Sequence, residues 1–221
     1  LTGEKDVPGY LYWLERAEEA GYKLSDLNVD KRRAADNYFK LGQWNDAYDA
    51  AMLQPESGYR SWIIRTCADR RIAKAQEELG VRHYTGNCPE APGFKPDRSK
   101  AYGILSVLTL PSPRAQYYIA CCLYRGEGTE KDPEKALSML PSEDRFGDPE
   151  HLRKEIAGMA AYYAAEKVTV QRGSRVPGLY RQAAEALEQA FRETGALSVL
   201  YELSDVYIRA FDDPEITDGP E

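Results

Sequence analysis

The sequence predicts an all-α protein, a right-handed superhelical solenoid of antiparallel helix pairs. Three observations predict it. One pattern occurs twice: Ala75-Gln76, Leu79-Gly80, Tyr84 and Gly86 are answered by Ala115-Gln116, Ile119-Ala120, Tyr124 and Gly126, each pair 40 positions apart. Beyond the glycines the offset falls to 35, because Lys100-Ala101 answers Lys135-Ala136. The first copy therefore carries five extra residues within Asn87 to Pro96, a segment holding Pro89, Pro92, Gly93 and Pro96. A period in the thirties with an insertion confined to one loop marks stacked helical hairpins.

The second copy shows the physics of one unit. Ala115, Ile119, Cys122 and Leu123 recur on one face at helical spacing. Small Ala120 admits a second helix at close range. Gly126 and Gly128 can take positive φ and end the first helix. Asp132 suits an N-cap, and Pro133 suits the first helical position, where a missing N–H costs nothing. Lys135-Ala136-Leu137 and Leu140 then fill the second helix, and Pro141 stops it.

The run from Ala115 through Tyr124-Arg125-Gly126-Glu127-Gly128 to Asp132-Pro133-Glu134-Lys135-Ala136 resembles a Sel-one-like repeat, a family within the tetratricopeptide superfamily of helical-hairpin solenoids. The small-residue position, the G-x-G turn and the D-x-x-K-A start carry the resemblance. Ala120 stands where that family favours Gly, and Thr129 where it favours Val.

Weaker units continue the stack on either side. Tyr10 to Gly21, with Trp13, Leu14, Ala17 and Ala20, reads as an unpaired second helix or a cap. Tyr38 to Tyr48, through Leu41-Gly42 and Trp44, resembles the turn of an ordinary tetratricopeptide hairpin. Ala157 to Ala164, a loop through Gly173 to Gly178, and Tyr180 to Thr194 read as a degenerate unit with a long insertion. Leu197, Leu200, Leu203, Val206 and Tyr207 then give a further first-type helix. The expectation is one helical-repeat domain over 1–211. Its clearest repeats are 75–110 and 115–141, its degenerate units 10–53, 154–194 and 196–211. An acidic flexible tail follows over 212–221.

Composition agrees. The 221 residues are 43% hydrophobic, enough for a continuous core in one elongated domain. No run of about 18 apolar residues suggests a transmembrane helix. A formal charge of −7 argues against a nucleic-acid partner. Arg65, Arg70, Arg71 and Lys74 form a basic cluster whose simplest reading is a solvated helix face. The chain begins at Leu1 rather than methionine, as removal of a signal peptide or a cloning choice would leave it.

Cysteine usage leaves the compartment open. Adjacent Cys121 and Cys122 point in different directions on a helix, and Cys122 reads as a small core residue. Cys67 and Cys88 could be joined in an oxidising compartment. The only histidines, His83 and His151, lie at no ligand spacing from a cysteine pair, so no metal is expected. No nucleotide-binding or hydrolase fingerprint occurs, the G-x-G at Gly126 leaves a helix rather than a strand, and neither catalytic nor cofactor-binding residues are expected.

The expected activity is protein binding along a concave face lined by first helices. Candidate groove residues are Tyr38, Arg82, His83, Tyr117, Tyr118, Tyr162, Tyr163 and Tyr201, tyrosine being a frequent hot-spot residue. Gly86, Gly126 and Gly128 are the structural turn positions. The insertions Asn87 to Pro96 and Thr169 to Gly178 are expected to project toward a partner. Glu127, Glu130, Asp144 and Asp148 could add acidity for a basic one. The resemblance implies three forms of binding. Similar repeats occur in immunity proteins that neutralise secreted bacterial toxins, including type VI phospholipase effectors. They also occur in periplasmic scaffolds of envelope or exopolysaccharide assembly, and in cytosolic signalling adaptors. The expected form is the inhibitor of a secreted effector enzyme, exported or periplasmic, with the cytoplasm as the alternative compartment; the oligomeric state is left open.

Overall fold

The structure is a computed structural model that describes residue 16 and residues 28–55, 57–88, 93–142 and 148–212. The described residues form ten α-helices and no strand, and within each of the two units below every helix packs on its neighbours in sequence. The Tyr10 to Gly21 helix (Arg16 apart), Asp144 and the tail beyond Asp212 lie outside the described residues. No described helix is long and apolar enough to cross a membrane. Contacts gather the chain into two compact units, Leu1–Thr109 and Leu110–Glu221.

In the first unit, α1 (Asn28–Lys40) and α2 (Trp44–Met52) form a hairpin about Gly42, whose φ is 72°. Ala47, Ala50 and Ala51 are fully buried on α2 and let its neighbours approach. Helix α3 (Gly58–Asp69) starts at Ser57, whose hydroxyl accepts from the Arg60 amide at 3.3 Å. Tyr59 on α3 donates to Asp36 on α1 at 2.5 Å. Helix α4 (Ala73–Thr85) packs on α5 (Arg98–Leu105) across Gly80, where an added Cβ would lie 2.6 Å from Leu105 Cγ.

The second unit begins with the hairpin of α6 (Pro113–Arg125) and α7 (Pro133–Met139). Ser112 caps α6, with Pro113 at its first position. The caps of this hairpin and of the α4–α5 hairpin coincide. Gly86 and Gly126 close the first helices at φ 70° and 71°, and Asp97 and Asp132 accept from the amides of Lys100 and Lys135, each at 2.9 Å. In each copy the capping aspartate also donates its own amide to the first helix, Asp97 to the His83 carbonyl at 2.7 Å and Asp132 to that of Leu123 at 2.9 Å. The two helix pairs are thus one motif in three dimensions, in spite of the insertion.

Helix α8 (Pro149–Arg172) runs 24 residues and packs on α9 (Pro177–Thr194), followed by α10 (Leu197–Asp212). Gly158 sets the α8–α9 spacing, since a Cβ there would meet Ala190 at 2.7 Å. The expected insertion at Thr169 to Gly178 is largely helix. Helix α8 continues through Arg172, and Thr169 bonds both the Ala165 carbonyl and the Tyr180 hydroxyl, each at 3.0 Å. Only residues 173–176 connect α8 to α9.

A candidate ligand groove in the first unit

The eight candidate groove residues fall into three groups. Tyr38 and Tyr162 are core residues rather than groove residues, at 2% and 5% exposure. The Tyr162 hydroxyl donates to Asp205 on α10 at 2.5 Å, and burial followed by that bond holds its pKa above the usual phenol value. Tyr117 and Tyr118 stack edge to face, with ring centroids 5.4 Å apart, and burial pushes the Tyr117 phenol up to about 12. In the second unit Tyr163 carries Lys131 over its ring at 4.4 Å, while Lys131 pairs with Glu202 at 3.5 Å. Exposed Tyr201 lines a shallow recess with the same lysine and glutamate.

Much of the polar chemistry on α8–α10 is structural. Tyr124 donates to Glu155, which also accepts from Ser198. Tyr180 donates to Glu166, which pairs with Arg209 at 2.7 Å, and Arg209 reaches Asp205 at 2.8 Å. Each buried polar atom in this set is matched by a group on a neighbouring helix, as a stable interior requires.

Arg82 and His83 behave differently. Both lie in the last turn of α4 and line a groove of about 530 Å3 between α3, α4 and α5. Ile64, Leu79, Ile104 and Val107 give it apolar walls. Arg82 is only 5% exposed. A buried guanidinium needs compensation, and it receives it from Glu78 one turn earlier at 2.9 Å and from the Ser61 hydroxyl on α3 at 2.9 Å. The Cys88 sulfur lies 4.0 Å from Arg82 Nη1 and 3.9 Å from Ser61 Oγ.

His83 is 8% exposed, and its Nδ1 is buried with no hydrogen-bond partner. Phe94, beyond the insertion, packs on the imidazole with centroids 5.1 Å apart. Burial lowers the His83 pKa; Lys100 lowers it further, Asp97 opposes, and Arg65 again lowers it. The ring is accordingly neutral at neutral pH. Nothing among its described neighbours uses the hydrogen-bonding capacity of that nitrogen, an arrangement costing about 1–3 kcal/mol.

Two residues the sequence reading left aside complete the groove. Arg65 projects from α3 and Lys100 from the first turn of α5, and both line it. The basic cluster to which Arg65 belongs does not act as one. Arg70 lies over the Trp44 ring at 3.9 Å, Lys74 pairs with Asp49 at 2.9 Å, and Arg71 takes φ 61° at the α3–α4 turn, which leaves Arg65 facing the groove. Lys100 was legible only as the lysine of the repeat motif.

Cys67 and Cys88 are not joined in a disulfide in the structure. Cys67 is fully buried and directs its sulfur to the Trp44 carbonyl at 3.5 Å, while Cys88 sits at the groove beside Ser61. Cys121 and Cys122 are buried and in no disulfide either.

No protein-family model, no curated protein and no solved structure matches the chain.

Proposed function

We propose that the chain is a non-enzymatic protein-binding module built from Sel-one-like helix pairs wound as a right-handed solenoid, and that the α3–α5 groove takes a segment of its partner. The repeated caps, the paired Asp97–His83 and Asp132–Leu123 backbone bonds and the close approach at Gly80 support the repeat reading. One observation carries the functional reading. Positions 82 and 83 of the first copy hold a buried arginine and histidine, whereas their counterparts 40 residues on, Cys122 and Leu123, are plain core at 0% and 2% exposure. A sequence that breaks its own packing rule at one copy, and there leaves a polar atom unpartnered, marks that copy for recognition.

Within protein binding, the form favoured is stoichiometric inhibition of a secreted enzyme. A preformed groove with a buried arginine and histidine suits one well-matched partner better than many weak ones. The test uses the full chain as bait, followed by reconstitution with the purified partner. A one-to-one complex that abolishes the partner's enzymatic activity, and that a charge-reversing Arg65→Glu change weakens, is the expected result. A complex indifferent to the groove, or a partner whose activity is untouched, overturns the corresponding half of the reading.

A further inference from the structure

The groove has a definite chemical preference, and the argument for it rests on the protein-binding reading above. Its walls are apolar, contributed by Ile64, Leu79, Ile104 and Val107. Its charged lining is three cations, Arg65, Arg82 and Lys100, against one carboxylate, Asp69. Arg82 is already satisfied by Glu78 and Ser61. Arg65 and Lys100 line the same space and both act on His83 electrostatically. Asp69, on α3, is the acidic group on the lining, and Asp97 faces the imidazole from the start of α5 while capping that helix through Lys100 N. Two like charges directed at one unpartnered imidazole repel its protonated form. An anion seated between them removes the repulsion and gives the ring a partner at once.

We infer that this groove receives an acidic side chain, Asp or Glu, carried on an apolar stretch of the partner, with Arg65 and Lys100 flanking the carboxylate and His83 facing it. Charge complementarity identifies the occupant. The chain as a whole is acidic at −7, so a local cationic recess runs against its overall field and selects a group that the rest of the surface repels. The imidazole adds a pH dependence. A bound carboxylate favours the protonated ring, so affinity rises as pH falls toward and below the ordinary histidine value of 6.5. The ligand carboxylate stays ionised until well below that.

The test is a titration of the intact 15N-labelled protein with a blocked peptide, acetyl-Leu-Glu-Leu-Glu-Leu-amide, beside its Gln-for-Glu isostere. Blocking both ends removes terminal charges, so only side-chain acidity is read. Expected are amide shifts confined to α3–α5, binding of the Glu peptide at least about tenfold tighter than the Gln peptide, and tightening from about pH 7.5 to about pH 5.5. Arg65→Ala and Lys100→Ala should each weaken binding about threefold with unchanged melting temperature, as both side chains are exposed. His83→Leu should flatten the pH profile. Equal binding of the two peptides, shifts mapping to α6–α10, or no binding of the Glu peptide would overturn the inference. Failure here is distinguishable from failure of the broader reading. A one-to-one protein complex that forms elsewhere on the chain leaves protein binding standing and removes this site. Peptide binding without any protein complex does the reverse.

Discussion

The α4–α5 and α6–α7 hairpins are copies of one motif put to different ends. Caps, turn glycines and the backbone bond from the capping aspartate agree. The interiors do not. At the positions of Glu78, Arg82 and His83, the later copy has Tyr118, Cys122 and Leu123. It spends those sites on packing; the earlier copy spends them on an ion pair and an unpartnered imidazole. The comparison separates what the hairpin needs in order to form, its caps and small residues, from what it can vary.

The largest expected effect breaks the ion pair. Glu78→Ala leaves the Arg82 guanidinium buried without its carboxylate and should destabilise the first unit by about 3 kcal/mol. Chemical denaturation with fluorescence detection measures it. A loss below about 1 kcal/mol would mean that Ser61 and the remaining surroundings suffice for Arg82.

The turn glycines sharpen the comparison, because the two copies share φ but not surroundings. An alanine at either site meets the left-handed penalty of about 1 kcal/mol. At Gly86 its Cβ would also lie 2.7 Å from Pro96 Cδ and 3.0 Å from Pro96 N, whereas at Gly126 the nearest atom is Lys131 Cβ at 3.3 Å. Gly86→Ala should therefore cost more than Gly126→Ala, by about 1 kcal/mol or more. Equal melting temperatures for the two variants would show that the inserted loop yields freely around Gly86.

A smaller effect comes from His83 itself. Its folded pKa lies below the unfolded value, so the folded state binds fewer protons there. The associated stability is complete above about pH 6.5 and is lost as pH falls from there through the folded value. His83→Leu, which copies Leu123, should abolish that part of the decline. The stability difference between wild type and variant should widen in the variant's favour from about pH 7.5 to about pH 5.5. Since His151 is common to both proteins, its titration cancels. A pH-independent difference would mean that the ring is hydrated and its burial inconsequential.

Local signals in the sequence reached some of these features and not others. The helix starts at Asp97, Ser112, Asp132 and Asp148 are written in side chains that accept from the amide three residues on, so they are readable without tertiary information. Arg82 and His83 are candidates in the sequence by their place on a first helix, and both line the α3–α5 groove. Tyr38 and Tyr162 were legible only as aromatics on such helices, and which face each presents depends on neighbours far along the chain, Asp205 in the case of Tyr162. Arg65 belonged to a charge run whose members are parted by Trp44 and Asp49, both on another helix. The extent of α8 was missed for a related reason. Thr169 is a weak helix former in isolation, but its hydroxyl is held by Ala165 and Tyr180, and that tertiary bond extends the helix.

The thiols give the smallest perturbation and the cheapest test of the contrast between the copies. Burial raises the Cys67 thiol to about 11, with Arg70 offsetting part of the effect, and Cys121 and Cys122 are shut inside α6. Cys88 alone is half-exposed, at the groove of the earlier copy, within the segment that holds the five extra residues. A thiolate is the reacting species and must meet the reagent, so accessibility points to Cys88. Titration of the native protein with an aromatic disulfide reagent near neutral pH should modify one thiol quickly and the other three only on unfolding. Two fewer thiols in denaturant would reveal a Cys67–Cys88 bond and with it an oxidising compartment. If one thiol is fast, the acidic peptide should slow it and its Gln isostere should not, because Cys88 shares the groove with His83 and Lys100. Fast modification unaffected by the acidic peptide would place any bound carboxylate away from this end of the groove.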